Sequence, residues 1–210
     1  MTKPSDTRNA ISDHGEEYLL PEEEQLLLRI ARDTLEASVC RDESIDLNDY
    51  PLTEALKEKH GAFVTLRNQG ELRGCIGYIA NHEPLAEAVR DNTINAAKRD
   101  NRFPSITPDE VDEITIEISA LTPGESPETP FKRVTDISEI TIGRDGLYIE
   151  QPPQRGGILL PQVATEQGWD VPQFLSAVCL KAGYPDGAWN EPETLLYRFS
   201  AQVFSEKERC

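Results

Sequence analysis

Gly61-Ala62-Phe63-Val64-Thr65-Leu66-Arg67-Asn68-Gln69-Gly70-Glu71-Leu72-Arg73-Gly74-Cys75-Ile76-Gly77-Tyr78-Ile79-Ala80 consists of two short apolar runs about a turn. Val64 and Leu66 before it, with Ile76 and Ile79 after it, predict a β-hairpin turning at Asn68-Gln69-Gly70. In a strand over Leu72–Ile79, Arg73, Cys75 and Gly77 point to one face, their Cα atoms about 6–7 Å apart at each step. A guanidinium beside a thiol favours the thiolate, the form that attacks electrophiles and binds metals. Gly77 leaves that face bare, so a ligand has room to approach. The plainer reading is a buried structural cysteine, since free Cys behaves as a small hydrophobe. Spacing alone favours the plainer reading.

Around the hairpin the pattern is one of short strands and helices. Pro21 followed by Glu22-Glu23-Glu24 opens a helix, with acids at the positive end of its dipole. Leu27, Ala31 and Leu35 form its inward stripe. Pro51–Lys59 reads as a shorter helix stopped near Gly61. Pro84 starts another, with Leu85, Val89, Thr93 and Ala96 inward and Lys98 and Arg99 at its C-terminal end. Ile114–Leu121 alternates apolar and polar residues and is a strand. The proline-rich loop Pro123–Pro130 marks a boundary between lobes. Ile140–Ile142 and Leu147–Glu150 then flank a turn at Gly143-Arg144-Asp145-Gly146. Gly157–Leu160 is a short apolar run, followed by a helix over Pro161–Gln167. Asp170 and Gln173 make a capping box for a helix running to Gly183, and Thr194–Phe204 is the last strand. Strands grouped with interleaved helices, without a βαβ rhythm, predict an α+β fold.

Composition narrows the function classes. The chain has 210 residues, enough for one domain or two small lobes around a core. It holds 21 basic and 38 acidic residues, a net charge of −17, which repels phosphate backbones and anionic membrane surfaces. Lys98, Arg99 and Arg102 are a local basic exception. No apolar run approaches the ~18 residues of a membrane span, and Met1–Gly15 has no hydrophobic stretch of a secretory signal. The expectation is a cytoplasmic protein with a disordered tail over residues 1–16 and free thiols. Cys40, Cys75, Cys179 and Cys210 have no C-x-x-C spacing, and His14, His60 and His82 are too scattered for a metal triad, so neither metal nor cofactor is expected. Neither a phosphate-binding G-x-x-x-x-G-K-[ST] loop nor a G-x-S-x-G elbow is present.

The hexapeptide Leu72-Arg73-Gly74-Cys75-Ile76-Gly77 resembles the signature of the AMMECR domain family, whose bacterial and archaeal members are called AmmeMemoRadiSam system protein A. Further segments are similar in the same order: Ala96-Ala97-Lys98-Arg99-Asp100-Asn101-Arg102-Phe103-Pro104, Ile116–Pro123, Gly157–Ala164 and Gly168-Trp169-Asp170. Phe174-Leu175, Cys179, Lys181-Ala182-Gly183 and Trp189 complete the resemblance, which covers roughly Leu20 to Phe204. It implies two related β-rich lobes, with helices packed on a shared curved, partly barrel-like sheet. A single domain over 17–210 would then divide into a lobe of about 17–122 and another of about 123–206. It also implies genomic association with a Memo-type protein, which resembles extradiol dioxygenases, and a radical SAM protein, which resembles glycyl-radical activases. No reaction comes with it.

Cys75 is therefore the candidate nucleophile or thiol acid–base, with Arg73 supporting the thiolate or a substrate. Gly74, Gly77, Asp100, Arg102 and Gln162 are candidate binding residues. Arg102 can grip a carboxylate or phosphate in bidentate fashion, and convergence of Arg73 and Arg102 on the thiol face would make a pocket for a small anion. The bland alternative has Asp100 and Arg102 bracing a turn, and sequence favours it. Gln162 either orients a ligand or satisfies backbone groups. His82 is a poor catalytic partner for Cys75, since the family pattern does not require histidine there. Arg155-Gly156-Gly157 reads as a loop able to cover a ligand, with a plain turn as the default. The favoured expectation is an enzyme-associated protein with a ligand or catalytic cleft at Leu72–Gly77 centred on Cys75; the alternatives are a binding module presenting Leu72–Gly77 as a shape to its partners, and a target of their modification within Gly74–Tyr78.

Overall fold

The computed structural model describes residues 18–79, 82–124, 129–153 and 156–206; the tail over 1–16, Arg155, Cys210 and part of the Pro123–Pro130 loop lie outside them. The chain begins with α1 (Pro21–Glu36), whose first turn is capped by Glu23: its Oε2 accepts the Leu20 amide at 2.8 Å and its Oε1 the Thr53 hydroxyl at 2.6 Å. Leu27, Ile30, Ala31 and Leu35 are fully buried beneath it. One helical turn, α2 (Glu54–Lys57), stands where the sequence predicts a helix over Pro51–Lys59. The difference has a backbone cause: the Glu58 carbonyl accepts the Leu85 amide and Lys59 bridges to Pro84, so the chain serves the start of the next helix instead.

The hairpin is β1 (Ala62–Asn68) and β2 (Glu71–Tyr78). Gln69 and Gly70, both with positive φ (49° and 85°), form the two-residue connection that suits the right-handed twist of the strands. The register pairs Leu66 with Gly74 but Arg67 with Leu72, so Arg73 is the extra residue of a β-bulge. The even alternation predicted for Arg73, Cys75 and Gly77 is therefore broken at Arg73.

Next comes α3 (Leu85–Lys98), then β3 (Ile114–Leu121), β4 (Lys132–Arg133), β5 (Asp145–Glu150) and β6 (Gly157–Leu159). Two helices, α4 (Pro161–Gln167) and α5 (Val171–Ala182), precede β7 (Leu195–Ser205). The capping box of α5 is as predicted, with Asp170 accepting the Gln173 amide at 2.9 Å and Gln173 returning the bond at 3.0 Å. No strand forms at Ile140–Ile142; there the buried Asp145 carboxylate accepts the Thr141 amide at 2.8 Å and pairs with Arg144, which closes a turn.

All strand pairs are antiparallel, in the order β2-β1-β3-β7-β5-β6 with β4 also on β7, and the sheet curls into a half-barrel. The α+β class holds. The long strand β7 joins the lobes, pairing through its first half with β5 and through its second with β3. One core lies between α1, α3 and β1–β3; the other gathers Leu147, Ile149, Phe174, Leu175, Val178 and Cys179. Arg32, buried on α1, donates to the Val111 and Ile114 carbonyls at 3.0 and 2.7 Å and pairs with Glu206, which fastens the first helix to the end of the last strand. Among the described residues, no helix is long and apolar enough to cross a membrane.

Candidate functional site

Each glycine of the hexapeptide admits a neighbour from within the protein. A Cβ on Gly74 would run into the Ala96 carbonyl of α3, so this glycine lets the helix settle against β2. A Cβ on Gly77 would run into the Phe63 ring. The bare face expected at Gly77 is thus occupied by an aromatic side chain from the paired strand.

Arg73 is turned to a different task from the one the sequence suggests. Its Nε and Nη2 grip Glu110 at 2.8 and 3.1 Å, and Nη1 and Nη2 donate to the Pro104 and Ser105 carbonyls at 2.7 and 3.3 Å. The pairing holds the Glu110 carboxyl down to about 2. Arg73 therefore ties the bulge to the loop after α3, a fastening role in place of thiolate support.

Asp100 and Arg102 take hold of Cys75 itself. Asp100 Oδ2 accepts the Cys75 amide at 2.9 Å, and Arg102 Nη2 donates to the Cys75 carbonyl at 3.2 Å. The two are themselves joined, with Arg102 Nη2 and Nε at 2.7 and 2.9 Å from the carboxylate. Since β2 is an edge strand, its outward amides and carbonyls need partners, and this ion pair imitates a neighbouring strand. Asp100 is almost fully buried and held near 2, first by the Arg102 guanidinium and then, against the opposing effect of burial, by the Cys75 and Arg102 amides. Arg102 is pushed up by Asp100 foremost, with the Cys75 side chain contributing. The arginine that reaches Cys75 is Arg102, through the Cys75 carbonyl.

Because the Cys75 backbone bonds outward, Thr65 and Cys75 form the non-hydrogen-bonded type of antiparallel pair, in which side chains lie closest. The Thr65 hydroxyl accordingly donates to Cys75 Sγ at 3.3 Å. Thr65 faces Glu117 on its other side, so thiol, hydroxyl and carboxylate form one row across three strands. This row lies on the sheet face opposite α1 and α3, toward which Val64, Ile76 and Ile118 point. Gln162, at the start of α4, reaches the same face from the other lobe, donating through Nε2 to Glu117 Oε1 at 3.2 Å and Ser119 Oγ at 3.0 Å. Glu166 of α4 pairs with Arg67 at 3.0 Å. The structure thus brings together Cys75, Asp100, Arg102 and, through Glu117, Gln162. It adds Thr65, Glu117 and Ser119, which sequence reasoning did not single out.

Other parts of the molecule are set apart from this row. Cys40 is exposed, and Cys179 is buried on α5 with its thiol pushed up by burial. Clefts of about 510 and 370 Å³ open elsewhere, the first between residues 44–48 and the start of α3, the second beside the first turns of α1.

Comparison with known proteins gives one consistent result. The AMMECR1 family model matches residues 28–204. A protein of Methanothermobacter thermautotrophicus is 44% identical over 186 residues, covering 88% of this chain and 95% of the relative. Protein TK0174 of Thermococcus kodakarensis is 44% identical over 188 residues, 87% of this chain and 90% of its own. Among solved structures, the uncharacterized protein PH0010 of Pyrococcus horikoshii superposes with a TM-score of 0.78 at 36% identity, covering 87% of this chain and 90% of its own.

Proposed function

We propose, from the premise that this chain belongs to the AMMECR1 family, that it is an enzyme-associated protein whose working group is the thiol of Cys75. One observation carries the reading: within the hexapeptide, Cys75 is the residue whose side chain keeps a reactive end while its backbone is clamped. Arg73 is bound to Glu110, Gly74 admits α3, Ile76 packs on the core and Gly77 admits Phe63. The half-buried Cys75 thiol takes a hydrogen bond from Thr65, and the Arg102 guanidinium holds the carbonyl of the same residue. A thiol held this way is suited to act as nucleophile or acid–base group on a bound ligand.

Alkylation of each cysteine against pH, followed by mass spectrometry on the folded protein, tests this. Cys75 is expected to react near neutral pH while Cys179 stays inert, and Arg102→Ala to slow Cys75 severalfold. Arg73→Ala should act on stability and leave the rate nearly unchanged. A Cys75 that reacts only on unfolding would end the reading.

A second reading is favoured by the exposure of two large side chains on the same edge strand, Leu72 at 37% and Tyr78 at 50%. They flank Cys75 and offer apolar contact to a partner, such as the Memo-type or radical SAM protein that the family resemblance implies. On this reading Cys75→Ser keeps partner binding and Leu72→Glu abolishes it in a pull-down of purified components. The reverse pattern favours the thiol.

A further inference from the structure

The cations around Cys75 are engaged, whereas an anion on the same face is not matched. Arg73 is held by Glu110, and Arg102 by Asp100 and the Cys75 carbonyl. Glu117, two strands from Cys75 in the same row, accepts one hydrogen bond at Oε1 from Gln162, and among the described residues no cation pairs with it. The Gln162 orientation follows from Glu117: a flipped amide would set its carbonyl oxygen against the carboxylate. With Nε2 engaged by Glu117 and Ser119, Gln162 Oε1 is buried without a partner and adds negative potential beside the carboxylate.

We infer that the ligand received beside Cys75 carries a protonated amine, which Glu117 holds while the other end of the ligand meets the thiol. The inference rests on the reading of Cys75 as the working group, and it reverses the charge expected from sequence, where Arg73 and Arg102 pointed to an anion. Two strand spacings put the Cα atoms of Cys75 and Glu117 roughly 10 Å apart. Strand side chains stand roughly perpendicular to the sheet, so the ligand lies over the buried Thr65 between them, and a spacer of about two or three carbons between the reacting atom and the nitrogen suits that separation. Gln162 acts as a positioning residue, pinning one carboxylate oxygen and leaving Oε2 for the ammonium.

Three methanethiosulfonates of similar size test this: 2-aminoethyl (cationic), 2-sulfonatoethyl (anionic) and methyl (neutral). In each, the Cys75 thiolate attacks the sulfenyl sulfur, a disulfide forms and methanesulfinate departs with the electron pair. The net charge of −17 attracts any cation, so rates are read in ~0.5 M salt, where screening acts within about 4 Å, and compared with the exposed Cys40 of the same chain. At Cys75 the cationic-to-anionic rate ratio should exceed that at Cys40 by about tenfold. Glu117→Gln, which has nearly the same shape and keeps an acceptor for Gln162, should bring the two ratios together. Equal ratios at Cys75 and Cys40 in the unaltered protein, or a ratio unmoved in Glu117→Gln, would overturn the amine inference alone. Inertness of Cys75 to all three reagents would overturn the thiol reading, and this inference with it.

Discussion

Gly74→Ala is expected to lower the melting temperature by roughly 6–12 °C, a large effect for one methyl group. The added carbon meets the backbone carbonyl of Ala96, which belongs to a helix of 14 residues and cannot rotate aside as a side chain does. Relief requires α3 to lift from β1 and β2, and with it the buried Ala88, Val89, Asn92 and Ala96 that fill the first core. Overpacking in a tight core costs about 1–3 kcal/mol, and a rigid obstacle places this case near 3. That is a large part of the ~5–15 kcal/mol that holds a domain together. Thermal or urea unfolding reads the result directly. An unchanged midpoint would mean that α3 is not pressed against β2, and would reopen the bare-face reading of the motif's glycines.

The hairpin, the amphipathic helices and the strand at Ile114–Leu121 were legible because their signals are local. Turn residues, caps and apolar periodicity act within a few positions of the chain. The site was legible only in part, because its decisive contacts join distant residues. Nothing near Arg73 announces that its partner is Glu110, 37 positions later, and a one-residue bulge leaves the hydrophobic pattern almost unchanged while redirecting the side chain. Asp100 and Arg102 were singled out, but their hold on Cys75 depends on β2 being an edge strand, a fact of strand order. Glu117 and Ser119 stood in the alternation of β3 as polar-face residues. What hid them was the missing knowledge that β1 lies between β2 and β3, which puts Glu117 in the row of Cys75.

Asp100→Ala should cost about 3 kcal/mol and also disturb Cys75. Its carboxylate accepts four bonds: from the Cys75 amide, the Arg102 amide, and Arg102 Nε and Nη2. Removal leaves the Cys75 amide without its acceptor and frees Arg102, whose half-exposed side chain regains water and so moderates the loss. Acid imitates the substitution. Asp100 sits near 2 in the folded chain against 3.8 as its ordinary value, so its contribution is present above about pH 3.8 and lost as pH falls toward 2. That shift is worth about 2 kcal/mol. Glu110, held near 2 by Arg73, weakens over a neighbouring window that opens at its ordinary value of 4.5, so the wild-type curve contains both losses. Asp100→Asn isolates one: its unfolding midpoint should start lower at pH 7 and fall less between pH 4 and 2. Equal slopes for the two proteins would show that the clamp contributes nothing to folding. If instead the slope flattens and Cys75 alkylation in the still-folded Asp100→Asn protein slows or loses its preference for a cationic reagent, the ion pair serves both ends: it closes the sheet edge and sets the thiol in its row.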